Sequence, residues 1–98
     1  MSKGFGFHPE ARRDFRESAQ WYRDRSPQAA TDFRATVSHS VLAIAESPLR
    51  YPAYLYGTRR CVLRTFPFSI VYLDDRDSVK IVAVAHHKRR PGYWKSRL

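Results

Sequence analysis

The last fifteen residues of the chain combine three kinds of side chain that take part in chemistry and recognition. They run from Val84 to Leu98 and contain the adjacent His86 and His87, followed by arginines and aromatic rings. Histidine titrates near neutral pH, guanidinium groups bind phosphate through two hydrogen bonds, and aromatic rings stack on bases or on a partner. The segment therefore predicts a functional site at the end of the last strand.

Positive charge is concentrated in the second half of the chain. The net charge is +9, of which residues 1–50 contribute +2 and residues 51–98 contribute +7. An excess of this size attracts polyanions or an acidic protein towards one region. We therefore expect an anionic target or partner, because solubility alone would not require such an uneven distribution.

Length and composition favour one domain, over residues 1–98, without disulfides, metal or other cofactor. The length of 98 residues is close to the commonest domain size, and the single Cys61 cannot form an internal disulfide. Scattered histidines without companion carboxylates or thiols do not indicate a metal site. The first residues do not resemble a signal peptide, and no apolar run approaches the ~20 residues that span a bilayer. We therefore expect a soluble cytoplasmic protein without membrane contact.

Two helices are predicted at the points where a proline follows a capping residue. The first begins at His8-Pro9 and the second at Ser26-Pro27, and the second ends near Ser47-Pro48. Small and apolar residues recur at helical spacing on one face of each helix: Ala11, Phe15, Ser18, Ala19 and Tyr22, then Ala30, Phe33, Val37, Val41 and Ile44. The short connection between them predicts an antiparallel helical hairpin.

Four strands complete the predicted order β-α-α-β-β-β. Residues 5–8 alternate before the first helix, and the spacing changes to two for strands over residues 59–66, 68–73 and 79–87. We expect an α+β fold in which the helical hairpin packs on one face of a mostly antiparallel four-stranded sheet.

Alternation along the strands predicts which side chains face away from the helices. In the first hairpin strand, Cys61 and Leu63 belong to the core, so Arg60 and Arg64 project from the open face. In the next strand the larger residues fill the core, which leaves Ser69 on the open face.

Adjacent residues of a strand point to opposite sides, so only one of His86 and His87 can join this basic face, and the sequence does not decide which. The candidates for binding a target or partner are the basic and aromatic side chains at this end of the sheet: Arg60, Arg64, His86, Arg89, Arg90, Tyr93, Trp94 and Arg97.

An ordered set of short motifs extends over almost the full chain. They are Phe7-His8-Pro9-Glu10-Ala11, Trp21-Tyr22, Ser26-Pro27, Phe33, Glu46-Ser47-Pro48, Gly57-Thr58-Arg59-Arg60, Phe66-Pro67-Phe68-Ser69-Ile70-Val71-Tyr72, Val84-Ala85-His86, Arg89-Arg90-Pro91-Gly92-Tyr93-Trp94 and Arg97. With these motifs the chain resembles the RelE/ParE superfamily of type II toxin–antitoxin toxins, close to the ParE-type plasmid stabilisation proteins. The resemblance implies a small α+β toxin held inactive by a co-expressed antitoxin, whose helix and extended tail wrap the toxin surface.

The resemblance implies two kinds of target. RelE-like members cut messenger RNA on the ribosome without a metal, whereas ParE-like members inhibit DNA gyrase. The nuclease pattern is matched at Arg60 and Tyr93, but Ser69 and His87 stand where it has arginines. Each missing guanidinium removes roughly 3 kcal/mol of transition-state stabilisation.

We therefore expect a toxin that arrests growth by binding a macromolecular target, with DNA gyrase favoured. The alternative is a metal-independent, ribosome-dependent endonuclease, whose catalytic candidates are His87, Tyr93, Arg60 and Arg64. In that mechanism His87 would supply general acid–base chemistry. A non-catalytic nucleic-acid-binding module is the third hypothesis.

Overall fold

The structure is a computed structural model that describes residues 3–98. Met1 and Ser2 lie outside the described residues. They belong to the N-terminal segment for which the sequence predicts no signal peptide. The strands and helices are β1 (Gly4–Phe7), α1 (Pro9–Arg25), α2 (Pro27–Glu46), β2 (Arg59–Val62), β3 (Phe68–Asp74) and β4 (Ser78–His86). No helix within residues 3–98 has both the length and the apolar character needed to cross a membrane.

Within residues 3–98 the strands form one four-stranded sheet in the spatial order β1-β4-β3-β2. The strand β1 runs parallel to β4, while the other neighbouring pairs are antiparallel. Both helices pack on the same face of this sheet. The predicted fold class is therefore confirmed.

Local side-chain hydrogen bonds explain where the helices begin. The His8 Nδ1 atom accepts a hydrogen bond of 3.0 Å from the Glu10 amide at the start of α1. The Ser26 hydroxyl accepts one of 3.2 Å from the Ala29 amide at the start of α2. These contacts satisfy amides that lack a partner in the first turn. The helix α2 ends at Glu46, before the Ser47-Pro48 pair, as predicted.

The core between the helices and the sheet is centred on Phe33. This fully buried ring of α2 lies 5.9 Å from the ring of Phe15 and 5.0 Å from the ring of Phe68, between centroids. The predicted face of α2 is buried at every position: Ala30, Phe33, Val37, Val41 and Ile44. The spacing of apolar residues therefore identified the packed face of this helix.

The strand β2 is shorter than predicted, because it ends at Val62 instead of residue 66. Pro67 has no amide for a ladder hydrogen bond and restricts the residue before it, so the chain leaves the sheet early. The Phe66 ring turns to the helix side, 5.3 Å from the Phe33 centroid. Arg64 lies in the exposed turn instead of on the face that carries Arg60, so the prediction for Arg64 is wrong.

The sheet face away from the helices is not open, contrary to the sequence prediction. The C-terminal residues fold back across it, and Trp94 packs on Val71, Val82 and Ala83 as a second buried cluster. The register of β3 and β4 shifts at this point, since Val71 pairs with Ala83 and Tyr72 pairs with Ile81. The extra residue of this bulge, Val82, is part of the cluster.

Substitution of Phe33 by alanine should strongly destabilise the fold. The loss of a buried ring and the cavity left behind should lower the free energy of unfolding by about 3–5 kcal/mol. The matched control is Leu42→Ala on the same helix, since this side chain is exposed. Urea denaturation followed by circular dichroism measures both. Equal stabilities of the two variants would contradict the packing described here.

Candidate functional site

A groove of about 300 Å³ lies between the C-terminal segment and the sheet face away from the helices. We call it the basic groove; its polar and charged lining consists of Arg60, Ser69, His86, His87, Arg89 and Arg90. Within the described residues, no acidic side chain lines it. Residues 3–98 also contain no group of three or more His, Cys, Asp or Glu side chains placed to hold a metal ion.

One carboxylate on α1 holds the C-terminal segment in place. The strand β1 pairs with β4 only as far as Ile81, and the edge of β4 beyond it faces Asp14. The Asp14 carboxylate accepts hydrogen bonds from both terminal nitrogens of Arg97, at 2.7 and 3.2 Å. It also accepts them from the Val84 amide at 3.2 Å and the Tyr93 hydroxyl at 3.0 Å. The carboxylate therefore replaces a neighbouring strand and anchors the chain end.

The environment of this carboxylate determines the protonation of Tyr93. The Asp14 and Arg97 side chains are only 11% and 13% exposed. Burial, followed by the charge of Asp14 and the hydrogen bond to it, raises the pKa of Tyr93 to about 12. The phenol is therefore neutral near physiological pH, and its proton is donated to Asp14.

Trp94 is a core residue, not a surface for stacking. It is 1% exposed, and its ring lies 6.0 Å from that of Tyr54 and 5.9 Å from that of Tyr56. The chain reaches this position through Gly92, whose φ of +81° is unfavourable for other residues and whose added Cβ would lie 3.0 Å from Tyr56 Cε2. The expectation that Trp94 and Arg97 contact a target is corrected, since both are occupied within the fold.

Both His86 and His87 line the basic groove, and His87 is the one that contacts Ser69 on the sheet face away from the helices. The His87 Nε2 and Ser69 Oγ atoms lie 3.0 Å apart. The His86 ring packs edge-on against Phe68 on the helix side, at 4.9 Å between centroids. Burial, together with the charges of Lys88 and His87, lowers the pKa of His86. Ser69 and His87, which stand where the nuclease pattern has arginines, are thus hydrogen-bonded to each other.

Aromatic rings position the guanidinium groups of the groove. The Arg60 guanidinium lies over the Tyr54 ring at 4.2 Å, and the Arg89 guanidinium lies over the Tyr93 ring at 3.8 Å. Among residues 3–98, neither of these groups nor Arg90 forms an ion pair with a carboxylate. The groove therefore presents cations that can bind an anionic partner.

The structure does not bring Arg64 to this groove. Its side chain lines a separate groove beside α2, together with Arg50. Five of the predicted binding residues line the basic groove and have exposed or partly exposed side chains. They are Arg60, His86, Arg89, Arg90 and Tyr93.

Two residues that shape the site were missed by the sequence analysis. Asp14 follows Ala11 by three positions and precedes Ser18 by four, so its helical spacing puts an acidic residue on the packed face. Because unpaired carboxylates are rarely buried, this spacing could have predicted that Asp14 binds a partner inside the fold. Tyr54 lies in an irregular loop, where no periodic pattern could indicate that it supports Arg60.

Neutralising the carboxylate at residue 14 should destabilise the protein. The variant Asp14→Asn leaves the Arg97 charge buried without its counter-ion, which should cost about 3 kcal/mol in the free energy of unfolding. The matched control is Glu17→Gln on the same helix, whose carboxylate forms an exposed ion pair with Arg13 at 2.8 Å. That change should have little effect. Thermal and urea denaturation measure both variants, and a loss of stability no larger for Asp14→Asn than for Glu17→Gln would refute the anchoring role.

Comparisons with known proteins agree with the observed architecture. The family model described as the ParE toxin of the type II toxin–antitoxin system parDE matches residues 6–91. A solved structure titled as the chromosomal ParDE toxin–antitoxin system from P. aeruginosa is similar to this chain with a TM-score of 0.76. The two are 15% identical, and the alignment covers 87% of this chain and 96% of that chain. A comparison with curated protein sequences gives no significant match.

Proposed function

Because the chain belongs to the ParE toxin family of type II toxin–antitoxin systems, we propose that it arrests growth by binding a macromolecular target and that a cognate antitoxin neutralises it. The match of the family model over residues 6–91 is the observation that carries this proposal. The binding surface on the toxin is the basic groove, whose unpaired guanidinium groups attract an anionic or acidic partner.

DNA gyrase is the proposed target. ParE-like toxins inhibit this enzyme, and the motifs of the present chain resemble theirs. Binding requires only complementary charge and shape in the groove, which Arg60, Arg89 and Arg90 can supply without a catalytic acid or base.

The geometry weakens the case for two of the four catalytic candidates of the ribonuclease alternative, Tyr93 and Arg64. A general base must be able to take up a proton in the reaction, but the Tyr93 hydroxyl has a pKa of about 12 and donates to Asp14. The side chains of Ser69 and His87 are hydrogen-bonded to each other at 3.0 Å, and neither residue supplies the guanidinium group of the nuclease pattern. Arg64, the remaining catalytic candidate, lines a different groove.

The proposed antitoxin is an acidic, amphipathic protein encoded beside this chain. The chain carries a net charge of +9, and within residues 3–98 no lining residue of the basic groove is acidic. Complementary charge speeds association and excludes basic partners. Occupation of the groove by an acidic segment would block the same guanidinium groups that contact the target.

The purified protein should inhibit supercoiling by DNA gyrase. The variant Arg60→Ala removes a guanidinium held over Tyr54 in the groove, so the concentration for half-inhibition should rise roughly tenfold or more. The matched control is Arg23→Ala, which removes the same charge from an exposed position on α1. It should inhibit like the unmodified protein.

Unchanged supercoiling at saturating protein would contradict gyrase as the target. Cleavage of messenger RNA in a translating extract that contains EDTA would instead support the metal-independent ribonuclease hypothesis. Loss of that cleavage in His87→Ala would assign a catalytic role to His87. The variant Tyr93→Phe also removes the hydrogen bond to Asp14, so its stability must be measured beside its activity.

A further inference from the structure

The groove beside α2 that contains Arg64 is a second place where cationic groups are gathered. It has a volume of about 340 Å³ and lies between α2, the loop before β2 and the turn after β2. We call it the α2 groove; its polar and charged lining includes Thr36, His39, Ser40, Arg50, Arg64 and Thr65. Within the described residues, no acidic side chain lines it. Among residues 3–98, neither Arg50 nor Arg64 forms an ion pair with a carboxylate. The groove therefore offers two guanidinium groups beside several hydroxyl donors.

Hydrogen bonds fix the backbone on both sides of Arg50. The hydroxyl of the buried Tyr72 donates to the Pro48 carbonyl. On the other side, Arg59 Nη1 donates to the Tyr51 carbonyl at 2.7 Å. The Arg50 side chain itself is exposed. Because a segment that is already fixed loses little conformational entropy when a ligand binds, this loop is suited to present Arg50 to a ligand.

The α2 groove and the basic groove meet at Val62. The side chain of Val62 is 54% exposed and lines both grooves. The basic groove lies on the sheet face away from the helices, whereas the α2 groove lies on the helix side. Arg60 lines the first and Arg64 the second, and the four residue steps between them separate their Cα atoms by at most ~14 Å. A flexible ligand that turns over the edge at Val62 can therefore contact both grooves.

We propose that the α2 groove binds phosphate groups of single-stranded nucleic acid, and that the strand turns over the sheet edge at Val62 into the basic groove. The proposed toxin function assigns no ligand to the α2 groove. Guanidinium groups bind a phosphate through two hydrogen bonds, and Ser and Thr hydroxyls also donate to phosphate oxygens. Such contacts hold the backbone without reading the bases, so the site should not select a sequence.

The position of the two grooves on opposite faces of the sheet favours a single strand over a duplex. Double-stranded DNA is stiff, with a persistence length of about 150 bp. It cannot turn over the edge of a protein whose longest dimension is 39 Å. A single strand is flexible, and at ~3.4 Å per nucleotide about four nucleotides extend over the separation between Arg60 and Arg64.

The regular charge of a nucleic acid favours it over an acidic polypeptide as the ligand of both grooves. A nucleic acid strand carries one phosphate per nucleotide, so a negative group reaches each groove in every register. A polypeptide meets the same condition only where acidic side chains recur along it. The two ligands are distinguished by competition in the experiment below.

Fluorescence anisotropy tests this inference on the full chain. The probe is a dye-labelled oligothymidylate of twelve nucleotides, titrated at several salt concentrations. The test variant combines Arg50→Ala with Arg64→Ala, two exposed positions at which the fold should tolerate the change. The first control combines Arg16→Ala with Arg34→Ala, which removes the same charge from exposed positions outside both grooves. The second control combines Arg50→Lys with Arg64→Lys, which keeps the charge.

The expected result is a loss of salt dependence in the alanine variant of the α2 groove. Each phosphate contact with a single strand contributes about 0.7 to the slope of log K against log salt, so the loss of two contacts should make the slope shallower by about 1.4. The affinity at about 0.1 M salt should then fall on the order of tenfold. Both control variants should keep the slope of the unmodified protein.

The same assay identifies the class of ligand. An oligouridylate of twelve nucleotides should bind like the oligothymidylate, because both present the same phosphate groups. A duplex of twelve base pairs should bind more weakly than either single strand. A peptide of ten glutamates should displace the probe only at a higher concentration than unlabelled oligothymidylate does.

Any one of five results would overturn the inference. They are absence of binding, equal slopes for the alanine variant of the α2 groove and the Arg16 and Arg34 control, a slope in the lysine variant as shallow as in the alanine variant, a duplex bound as tightly as the single strand, and displacement of the probe by the glutamate peptide at the lower concentration. The assay contains no DNA gyrase, so its outcome is independent of the proposed toxin activity.

Discussion

The carboxylate of Asp14 is the contact on which the C-terminal half of the site depends. Burying a charge is costly unless other groups compensate it. Here the compensation comes from Arg97, Val84 and Tyr93, which belong to β4 and to the segment that follows it. A helix, a strand edge and the chain end are therefore joined at one point. Without this contact, Trp94 and the wall of the basic groove would be held by apolar packing and by the hydrogen bond of 3.1 Å from Arg97 to the Val82 carbonyl.

Because Asp14 anchors the C-terminal segment, its residues divide into those that pack against the fold and those that are exposed to a partner. Tyr93, Trp94 and Arg97 face the fold and fix the path of the chain. Arg89 and Arg90 are exposed and remain available to a partner. The segment is thus both a structural element and a binding surface, which explains why so short a stretch contains aromatic, basic and acid-paired residues. Anchoring the segment before a partner arrives also lowers the entropic cost of binding.

Local patterns were sufficient where a single element determined the outcome. Pro9, Pro27 and Pro48 marked the helix ends, and the apolar spacing around Phe33 identified the buried face. The placement of Arg60 on the face away from the helices was also correct. Alternation failed at Phe66, because Pro67 ends the strand and the ring finds a place beside Phe33.

The burial of the chain end could not be read from its own residues. Trp94 is buried because it packs on the β4 bulge at Val82. It is also held there because Asp14, eighty positions before Trp94 in the chain, binds Arg97. Such a contact is tertiary, and neither periodicity nor residue type reports it. The resemblance to the RelE/ParE superfamily gave the family correctly, but residue contacts were needed to separate groove residues from anchoring residues.

We propose that the basic groove, and not the positive charge of the protein as a whole, carries the toxic activity. Inducible expression in a bacterial host of a variant with Arg60, Arg89 and Arg90 all changed to alanine tests it most directly. The comparison is a variant with the exposed Arg16, Arg23 and Arg34 changed to alanine, which loses the same charge elsewhere. With equal amounts of folded protein, the unmodified chain and the second variant should arrest growth and the groove variant should not. Equal arrest by all three proteins would show that the groove does not carry the activity.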